Sequence, residues 1–600
     1  MGGIGGLICF KGDPPTRALV EQMSERVAYR GRRAQGIWVD GPAALFQRQM
    51  DELETGLTLP VEEAPLVCVV DGRLVDPGGL RIALEKAWGG PVSGSDPELI
   101  LTAWQVWGSA CLEKLKGDFA LAVWNAQEQS LTLVRDRMGA KPLYTARQEG
   151  KIAFASDPRA LLGLEWVSRE LARDEVAEFL SFRYTHAPRT LLQDVEELPA
   201  GHLLRVDGQG IRDRRWWAPA YCGAQTALPT EERVVDRLRG ELLRAVDRRL
   251  SVSRPTGILL SGGLSSAVIT GVATRQAGRD LRTYNLSLLG SETDEAAFAG
   301  RVAKVFGTEH HTLRVEREEF VGAIDEVVNC MGQPVPSPAA ISEFLLCRHA
   351  AAEVDVLLSG LGADEALAGP SAAGLRGRLG HRLGGRFLAR RDSQNPPGLR
   401  QRLGGSNVFD QEARQALLRD PGLVRPGMRR AMLAPLYDEV DTDPVNQVLH
   451  VYQRGWLVEN TLFRIDRVSM AAGVRVRYPM LDLGLLKLCA SWPGDAKVKK
   501  RRGRWYGKWP LREIASGWLP SQLVWRPERG MPGALHRWLR GEGETFLWER
   551  VEAVCEDPME LFVPERIREM ARSHALEEAD WGAQLWTLLF LDAWWRSLRD

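Results

Sequence analysis

The pattern of apolar segments changes part-way along this chain of 600 residues. Up to about residue 215 the apolar runs are short and separated by Gly, Asp and Pro, as in "PLVCVVDGRLV" and "DFALAVWN". This pattern predicts a sheet-rich domain of many short strands. Beyond it, apolar strand-like segments alternate with helical ones, which predicts a parallel sheet covered by helices. Because the chain is too long for one hydrophobic core, we expect two domains, 1–215 and 225–600.

A helix is predicted to begin after Thr230, a suitable N-cap that is followed by two glutamates. Further along, residues 370–405 are rich in Gly and Arg and contain a single acid, Asp392. We predict that this segment is a flexible basic insert, either a solvated linker or a docking surface for an acidic partner.

The composition excludes several classes of protein. Lysine and arginine together number 78, as do aspartate and glutamate, so the net charge gives no reason to expect nucleic acid or an anionic membrane as a partner. The eight cysteines are scattered without a CxxC pair, as is typical of a reduced, cytoplasmic protein without structural zinc. No segment has the pattern of a secretory signal or a membrane span, so we expect a cytoplasmic protein.

Two glycine-containing turns follow strand-like segments in the second domain, "LLSGG" at 259–263 and "LLSGLGADE" at 357–365. The carboxyl ends of parallel strands meet at one edge of a sheet, so both turns are predicted to face one cleft. The first turn opens a helix and presents backbone N–H groups that can hold a phosphate. The second places Asp364 and Glu365 where magnesium beside a polyphosphate could be bound. Together they predict a nucleotide site.

The order of the motifs in this half resembles the synthetase domain of the glutamine-dependent asparagine synthetase family. The matching stretches are "LLSGGLSSA", "GTEHH", "LLSGLGADEALAG", "DRVSMAAGVRVRYPMLD" and "GKWPLREIASGWLPSQLVWRPERG". The first half resembles the glutaminase domain of that family in "YRGRRAQGIWVDG", "GDFALAVWN", "RDRMGAKPLY", "FASDPRALL" and "LPAGHLLRV". The resemblance implies an α/β protein with an N-terminal Ntn-hydrolase-like αββα domain and a C-terminal ATP-pyrophosphatase domain with a helical tail.

The same resemblance implies ATP and Mg²⁺ as cofactors and assigns residues to them. Adenosine would be held by Leu260, Leu286, Ser359 and Gly360, and the phosphates by Ser261, Gly262, Gly263 and Ser266. Asp364 would bind the metal, and Lys508 would stabilise charge during amide formation. Ser265 stands where the family has a second magnesium-binding aspartate, so we expect weaker metal binding. Glu459 is a candidate base, with a structural carboxylate as the alternative.

The first half departs from the family at the positions that hydrolyse glutamine. Gly2 stands where the family exposes its cysteine nucleophile, and glycine has no nucleophile. The family's His-Arg-Gly-Pro-Asp is represented by residues 29–33, Tyr-Arg-Gly-Arg-Arg, and its Asn-Gly by Asp71 and Gly72. Asp71 would repel a developing oxyanion. We therefore predict that this domain lacks glutaminase activity and has a structural role.

The second half departs where the family binds aspartate. The family's acidic Asp-Glu-Pro stretch is replaced by Gly332, Gln333 and Pro334, and Arg475 replaces a glutamate. Leu361 stands where β-lactam synthetases have a tyrosine that belongs to their base, and leucine cannot accept a proton. Of the offshoots that lack the cysteine, the lasso peptide cyclases fit best, because a peptide α-amine, with a pKa near 7.7 to 8.0, needs less help from a base.

We therefore predict an ATP-dependent ligase that adenylates a side-chain carboxylate of a precursor peptide and closes a macrolactam with its N-terminal amine. The expected partners are that peptide, a leader peptidase and a leader-recognition protein. One alternative is a β-lactam synthetase or another small-molecule amide ligase. The other, from a different class, is a non-catalytic scaffold that binds nucleotide or peptide, and release of pyrophosphate would distinguish a ligase from it.

Overall fold

The computed structural model describes residues 2–50, 59–250, 254–277, 281–288, 295–370, 408–526, 538–541, 543–556 and 559–599. The predicted basic insert, 370–405, lies outside the described residues except for Pro370. Within the described part of the chain, every helix is too short or too polar to cross a lipid bilayer.

The described residues of the N-terminal half contain twelve strands. They are β1 Gly2–Cys9, β2 Ala34–Asp40, β3 Ala43–Gln49, β4 Val61–Glu63, β5 Leu66–Leu74, β6 Gly117–Asn125, β7 Ser130–Arg135, β8 Tyr144–Gln148, β9 Lys151–Ala155, β10 Val195–Glu197, β11 His202–Asp207 and β12 Gly210–Arg215. Two six-stranded sheets result, in the orders β10-β8-β9-β1-β3-β2 and β12-β11-β7-β6-β5-β4. The adjacent strands with a defined register in these sheets are antiparallel.

Alternation along the strands explains how these sheets are layered. In β1, Ile4 and Ile8 join a core that also contains Val67 and Val69 of β5, so this side of β1 faces the second sheet. Leu7 and Cys9 point the other way and pack with Val20, Met23 and their neighbours. The helices of this half are Arg17–Glu25, Pro77–Trp88, Asp96–Trp107, Pro158–Leu161 and Arg173–Phe182. Helices therefore cover the outer faces of two stacked sheets, which confirms the predicted αββα arrangement.

The C-terminal half contains a five-stranded sheet in the order β15-β14-β13-β16-β17. Its strands are β13 Thr256–Leu259, β14 Arg282–Leu288, β15 Glu309–Val315, β16 Val356–Leu358 and β17 Arg475–Arg477. All four neighbouring pairs are parallel, as predicted. A short antiparallel hairpin follows, β18 Lys499–Arg501 and β19 Arg504–Tyr506. The strand order reverses at β13, so the cleft at its carboxyl end is where such sheets bind ligands.

Helices account for most of the remaining described residues in this half. They are Glu231–Asp247, Leu264–Ala277, Ala296–Phe306, Arg317–Gly322, Ile324–Cys330, Pro338–Ala350, Ala363–Leu367, Gln411–Leu417, Met428–Asp438, Pro444–Arg454, Phe463–Ala472, Leu483–Ala490, Gly494–Lys497, Trp509–Ser516, Ser521–Val524, Glu544–Cys555, Pro564–Ala575 and Gly582–Ser597. The predicted cap is confirmed, because the Thr230 side chain accepts a hydrogen bond from the Arg233 N–H. The last three helices form the helical tail.

Candidate active site

The first glycine turn connects β13 to the helix Leu264–Ala277. Gly262 has φ of +76°, and a Cβ on it would lie 2.7 Å from the backbone nitrogen of Ala299, so only glycine fits there. The exposed Ser261 accepts a hydrogen bond from the Gly263 N–H through its Oγ, at 3.3 Å. Ser266 donates to the Gly263 carbonyl at 3.1 Å. The serines thus fix a turn whose backbone lies at a helix N-terminus.

The second glycine turn follows β16 and packs against the first. A Cβ on Gly360 would lie 2.8 Å from the backbone nitrogen of Ser266 and 3.0 Å from the Cβ of Ser265, so glycine permits this contact. The buried Ser359 accepts a hydrogen bond from the Leu361 N–H at 3.3 Å. The structure therefore brings the two turns together at one edge of the sheet, as their positions in the sequence predict.

Lys508 lies between the two turns. Its side chain is only 4% exposed, and its Nζ is 2.8 Å from Oδ1 of Asp364, whose side chain is 52% exposed. Nζ also donates to Oγ of Ser265 at 3.4 Å. The Lys508 backbone has φ of +52°, and its N–H group donates to the carbonyls of Leu367 and Ala368. Three residues that the sequence assigned to separate motifs are thus in direct contact.

The neighbouring Glu365 differs electrostatically from Asp364. Burial of its carboxyl and the adjacent Asp364 carboxylate raise the pKa of Glu365 to about 8. Ionisation of Glu365 is therefore disfavoured beside Asp364. Asp364 is the acid that faces Lys508, and Ser265 adds a hydroxyl without charge.

The two leucines assigned to adenosine lie at the carboxyl ends of neighbouring strands. Leu260 is buried, its N–H donates to the Tyr284 carbonyl, and its own carbonyl accepts a hydrogen bond from Asn285 Nδ2. Leu286 is half-buried in β14. This arrangement places apolar side chains beside the first turn.

The sequence reasoning missed Arg526. Its Nη2 donates to the carbonyl of Gly262 at 2.8 Å, its Nη1 lies 2.6 Å from Oε1 of Glu295, and its guanidinium stacks over Phe298 at 4.3 Å. This arginine therefore brings a positive charge to the first turn. It lies within "GKWPLREIASGWLPSQLVWRPERG", so the motif that identified Lys508 also contained the signal for Arg526.

The corresponding centre of the N-terminal half is filled by its own residues. A Cβ on Gly2 would lie 1.7 Å from the backbone oxygen of Arg48, which leaves no space for any side chain at position 2. The Gly2 N–H donates to Oδ1 of Asp71 at 3.1 Å, and Ser156 donates to the other oxygen of that carboxylate at 3.3 Å. Asp71 is thus engaged by neighbouring donors.

A buried ionic network continues from this centre into the C-terminal half. Arg30 lies 2.8 Å from the carboxylate of Asp71 and 2.8 Å from that of Asp466, which also contacts Lys141 at 2.5 Å. Burial opposes ionisation of Asp466, but Arg30 and Lys141 outweigh it and hold the pKa of Asp466 well below its ordinary value. Asp466 therefore stays charged and ties the two halves together.

A second buried cluster makes the same connection from Arg467, the next residue of the helix Phe463–Ala472. Arg467 contacts the Asp157 carboxylate at 2.9 Å. It also donates hydrogen bonds to the Tyr29 hydroxyl and, at 2.9 Å, to the Ser156 carbonyl. Burial alone would raise the pKa of Asp157. Two neighbouring cations, Arg159 and Arg467, outweigh that effect and lower the pKa of Asp157 far below the ordinary value. The helix Phe463–Ala472 is thus held to the N-terminal half by two sets of charges.

Comparison with known proteins agrees with this geometry. Residues 237–596 match the asparagine synthase family model, and residues 1–217 match the glutamine amidotransferase domain. The chain belongs to the asparagine synthase family. This family domain indicates an ATP-dependent ligase that forms carbon–nitrogen bonds, and the resemblance found in the sequence is confirmed at that level.

Several curated proteins align with much of the chain. A putative glutamine-hydrolysing asparagine synthetase of Mycobacterium bovis is 28% identical over 563 residues, covering 89% of this chain and 85% of the relative. Glutamine-hydrolysing asparagine synthetase 1 of Bacillus subtilis is 24% identical over 605 residues, covering 96% and 93%. Amidase chyE of Penicillium rubens is 26% identical over 408 residues, covering 62% and 59%.

Glu459, the candidate base, lies at the boundary between the two halves of this asparagine synthase family member. It belongs to a π-helical turn, Trp456–Leu462, and is buried. Burial and the neighbouring Glu197 raise its pKa well above the ordinary value, against the opposing effect of Arg135 and a hydrogen bond from the Ala187 backbone. It lines a cavity of about 170 Å³ together with His186. Its role as a base stays a prediction.

Proposed function

We propose that this chain is a lasso peptide cyclase. It activates a side-chain carboxylate of a precursor peptide with ATP and closes a macrolactam with the N-terminal amine of that peptide. The observation that carries the proposal is the filled centre of the N-terminal domain, where position 2 has no space for a nucleophilic side chain. Without ammonia from glutamine, the nitrogen must come from another source, and we propose an amine of the substrate.

The N-terminal domain has a structural role in this proposal. Arg30, Asp71 and Asp466 occupy the place of a glutamine-hydrolysing centre, and they also join the two domains. The negative charge of Asp71 would destabilise the oxyanion that forms during amide hydrolysis. We therefore propose that the protein has no glutaminase activity.

The residues of the cleft suit ATP. The backbone N–H groups around Gly262 and Gly263 would bind its phosphates, and Arg526, paired with Glu295, holds the Gly262 carbonyl in position. The adenosine would lie against Leu260 and Leu286. Asp364 and Ser265 offer oxygen atoms suited to Mg²⁺, which when bound would supply positive charge to the phosphates.

The proposed reaction has two steps. A carboxylate oxygen of the peptide attacks the α-phosphorus of ATP, and pyrophosphate leaves. The peptide amine then attacks the acyl carbon, AMP leaves, and the amine loses a proton as the amide forms. Lys508, held between the turns, would donate hydrogen bonds to the oxygen that gains negative charge.

Two features favour a peptide over a free amino acid as the substrate. Gln333 stands where the family has an acid, and its Oε1 already accepts a hydrogen bond from the Leu191 N–H at 3.1 Å. That position offers no negative charge to the ammonium group of an amino acid. Leu361, in the second turn, cannot act as the proton acceptor that β-lactam formation requires.

The proposal implies three partners: the precursor peptide, a leader peptidase that frees its α-amine, and a leader-recognition protein. The test is incubation of the protein with ATP, Mg²⁺, the leader peptidase and a candidate precursor. The expected product is a core peptide lighter by one water, formed together with equal amounts of AMP and pyrophosphate. The Lys508→Met variant is the control and should give only the cleaved linear peptide. A wild-type reaction that ends at the linear peptide would refute the cyclase proposal. Absence of pyrophosphate with every substrate would instead favour a non-catalytic scaffold.

A further inference from the structure

The cavity of about 170 Å³ that Glu459 lines is formed by both halves of the molecule. The N-terminal half contributes residues from the segment 186–200. The C-terminal half contributes residues from two helices, Met428–Asp438 and Pro444–Arg454, and from the π-helical turn Trp456–Leu462. These lining residues are different from those assigned to ATP and Mg²⁺, so the cavity is separate from the nucleotide cleft.

The cavity can be reached from solvent. Arg189, one of its lining residues, is exposed, and two others, Met432 and Leu436, are half-buried. A small molecule can therefore enter beside these side chains.

Arg454 is a cation in this cavity that lacks an anionic partner. Its Nη1 donates to the carbonyl of Ala200 at 2.9 Å, and its buried Nε has no hydrogen-bond partner among the described residues. No carboxylate of the described residues forms an ion pair with it. Burial and the nearby Arg215 lower the pKa of Arg454 to about 10, and Glu459 offsets them only in part. Arg454 thus keeps its charge, and cations enclosed by protein ordinarily have an anion beside them.

His186 adds a second unpaired polar atom. The residue is 8% exposed, and its Nδ1 lies 2.7 Å from Oε1 of Glu178, which orients the ring. The other ring nitrogen, Nε2, is buried and has no hydrogen-bond partner among the residues that the structure describes. A Cβ on Gly455 would lie 3.3 Å from this Nε2. His186 Nε2 therefore lies beside the end of the helix that carries Arg454.

Glu459 does not act as an ordinary counter-ion for Arg454. Burial and Glu197 raise the pKa of Glu459 well above its ordinary value, which favours the uncharged carboxyl group. In that form the carboxyl group has an O–H that can donate a hydrogen bond. The cavity thus combines a cation and other polar groups with an apolar wall, which is formed by Ala187, Pro199, Ala200, Met432 and Leu436.

We propose that this cavity binds a small monocarboxylate with an apolar body. The carboxylate of the ligand would pair with Arg454 and accept a hydrogen bond from the carboxyl group of Glu459. It would also stabilise the protonated form of His186, in which Nε2 is a donor. The carbon chain would lie against Met432 and Leu436.

The charge and the volume of the cavity limit the ligand. One cation without a partner calls for a single negative charge, so a monocarboxylate fits better than a dicarboxylate or a phosphate. A cavity of about 150 Å³ in another protein holds one benzene molecule, so we expect a ligand of roughly seven non-hydrogen atoms. The proposal goes beyond amide formation and does not depend on the proposed peptide substrate.

The test is isothermal titration calorimetry of the full chain with pentanoate at constant ionic strength. Pentanamide, a neutral molecule of the same shape, is the matched ligand. The wild type should bind pentanoate with a Kd on the order of 1 mM or lower, and pentanamide about tenfold more weakly or less. Arg454→Gln should weaken binding of pentanoate by about tenfold or more. Arg237→Gln, the same change at an exposed arginine, should bind pentanoate like the wild type.

Three results would overturn the proposal: no binding of pentanoate to the wild type, equal binding of pentanoate and pentanamide, or unchanged binding of pentanoate to Arg454→Gln. If Arg454→Gln does not fold, Leu436→Trp replaces it, because Leu436 is half-buried and the larger side chain would fill part of the cavity. This variant should also bind pentanoate about tenfold more weakly or less, and an unchanged affinity would refute the site.

Discussion

The two sites that this chain inherits from its family have diverged in opposite directions. In the C-terminal cleft, Gly262 and Gly360 let two turns approach each other and leave backbone N–H groups at a helix N-terminus. In the N-terminal domain, Gly2 serves to let the backbone of β3 approach, and Arg30 and Asp71 occupy the space beside it. One site keeps a surface for a ligand, whereas the other is filled by an internal ion network.

The comparison shows that glycine at a family's functional position can mean an open site or a closed one. The two cases differ in which atom a Cβ on the glycine would contact, and in whether the nearby charged groups pair with one another. Around Gly2 the charges satisfy one another and extend to Asp466 of the other domain. In the cleft, Lys508 is paired with Asp364, and the exposed Asp364 side chain is accessible to a ligand. The following changes test this distinction, from the largest expected effect to the smallest.

Lys508→Met should abolish most of the amide-forming activity. Loss of one positioned donor to a developing negative charge slows catalysis by up to about 1000-fold, and we expect a decrease of that size. Single-turnover product formation and AMP release are the measurements. The Tm should change little, because Asp364 is exposed and its remaining charge is solvated. Activity near that of the wild type would show that the cleft does not use this lysine.

Asp466→Asn should weaken the connection between the domains. Removing one partner of a buried ion pair costs roughly 3 kcal/mol, because Arg30 and Lys141 would be left with too little negative charge. Chemical denaturation measures this change in the free energy of unfolding. Asp236→Asn, at an exposed surface pair, is the matched control and should have almost no effect.

The effect of Asp466→Asn should also depend on pH. The pKa of Asp466 is lowered in the folded state, so its contribution is present above the unfolded value of about 3.9 and is lost as the pH falls below it. The difference between wild type and variant should be constant from about pH 5 to 8 and shrink in stronger acid. A difference that grows in acid would contradict the assigned charge state.

Gly2→Ala should destabilise the N-terminal domain by about 2 kcal/mol, because the added methyl group collides with the backbone oxygen of Arg48. Gly3→Ala is the matched control, since the atom nearest to its Cβ would be a methyl carbon of Val27, at 3.3 Å, and no backbone atom is among its nearest neighbours. Gly2→Cys should be destabilised as well and should not hydrolyse glutamine. A stable Gly2→Cys protein that releases glutamate would mean that this centre is open.

Ser265→Asp should lower the Mg²⁺ concentration needed for half-maximal activity by about tenfold, because it adds a negative charge beside Asp364. Ser265→Asn is the uncharged control of similar shape and should leave the requirement unchanged. An unaltered magnesium dependence in Ser265→Asp would show that this serine is not at the metal site.

The sequence predicted the architecture well because both domains rely on local patterns. The sheet-rich first half follows from its short alternating strands, its αββα layers were expected from the family resemblance, and the cleft follows from glycine turns at strand ends. The contact of Ser265, Asp364 and Lys508 could be anticipated only through the family resemblance, since more than 240 residues separate Ser265 from Lys508. The ion network was not predictable, because Arg30 matches the family pattern and Asp71 was interpreted only as a residue that would repel an oxyanion. Their pairing depends on Asp466, 436 residues from Arg30.

The most direct test of the central claim is the dependence of AMP release on the source of nitrogen. AMP and glutamate are measured with ATP and Mg²⁺, with the leader-free precursor peptide, and with or without glutamine. The proposed function predicts that AMP release requires the peptide, equals the amount of cyclic product and is unaffected by glutamine, with no glutamate formed. AMP release that requires glutamine and is matched by glutamate would contradict it, because the N-terminal domain would then supply ammonia.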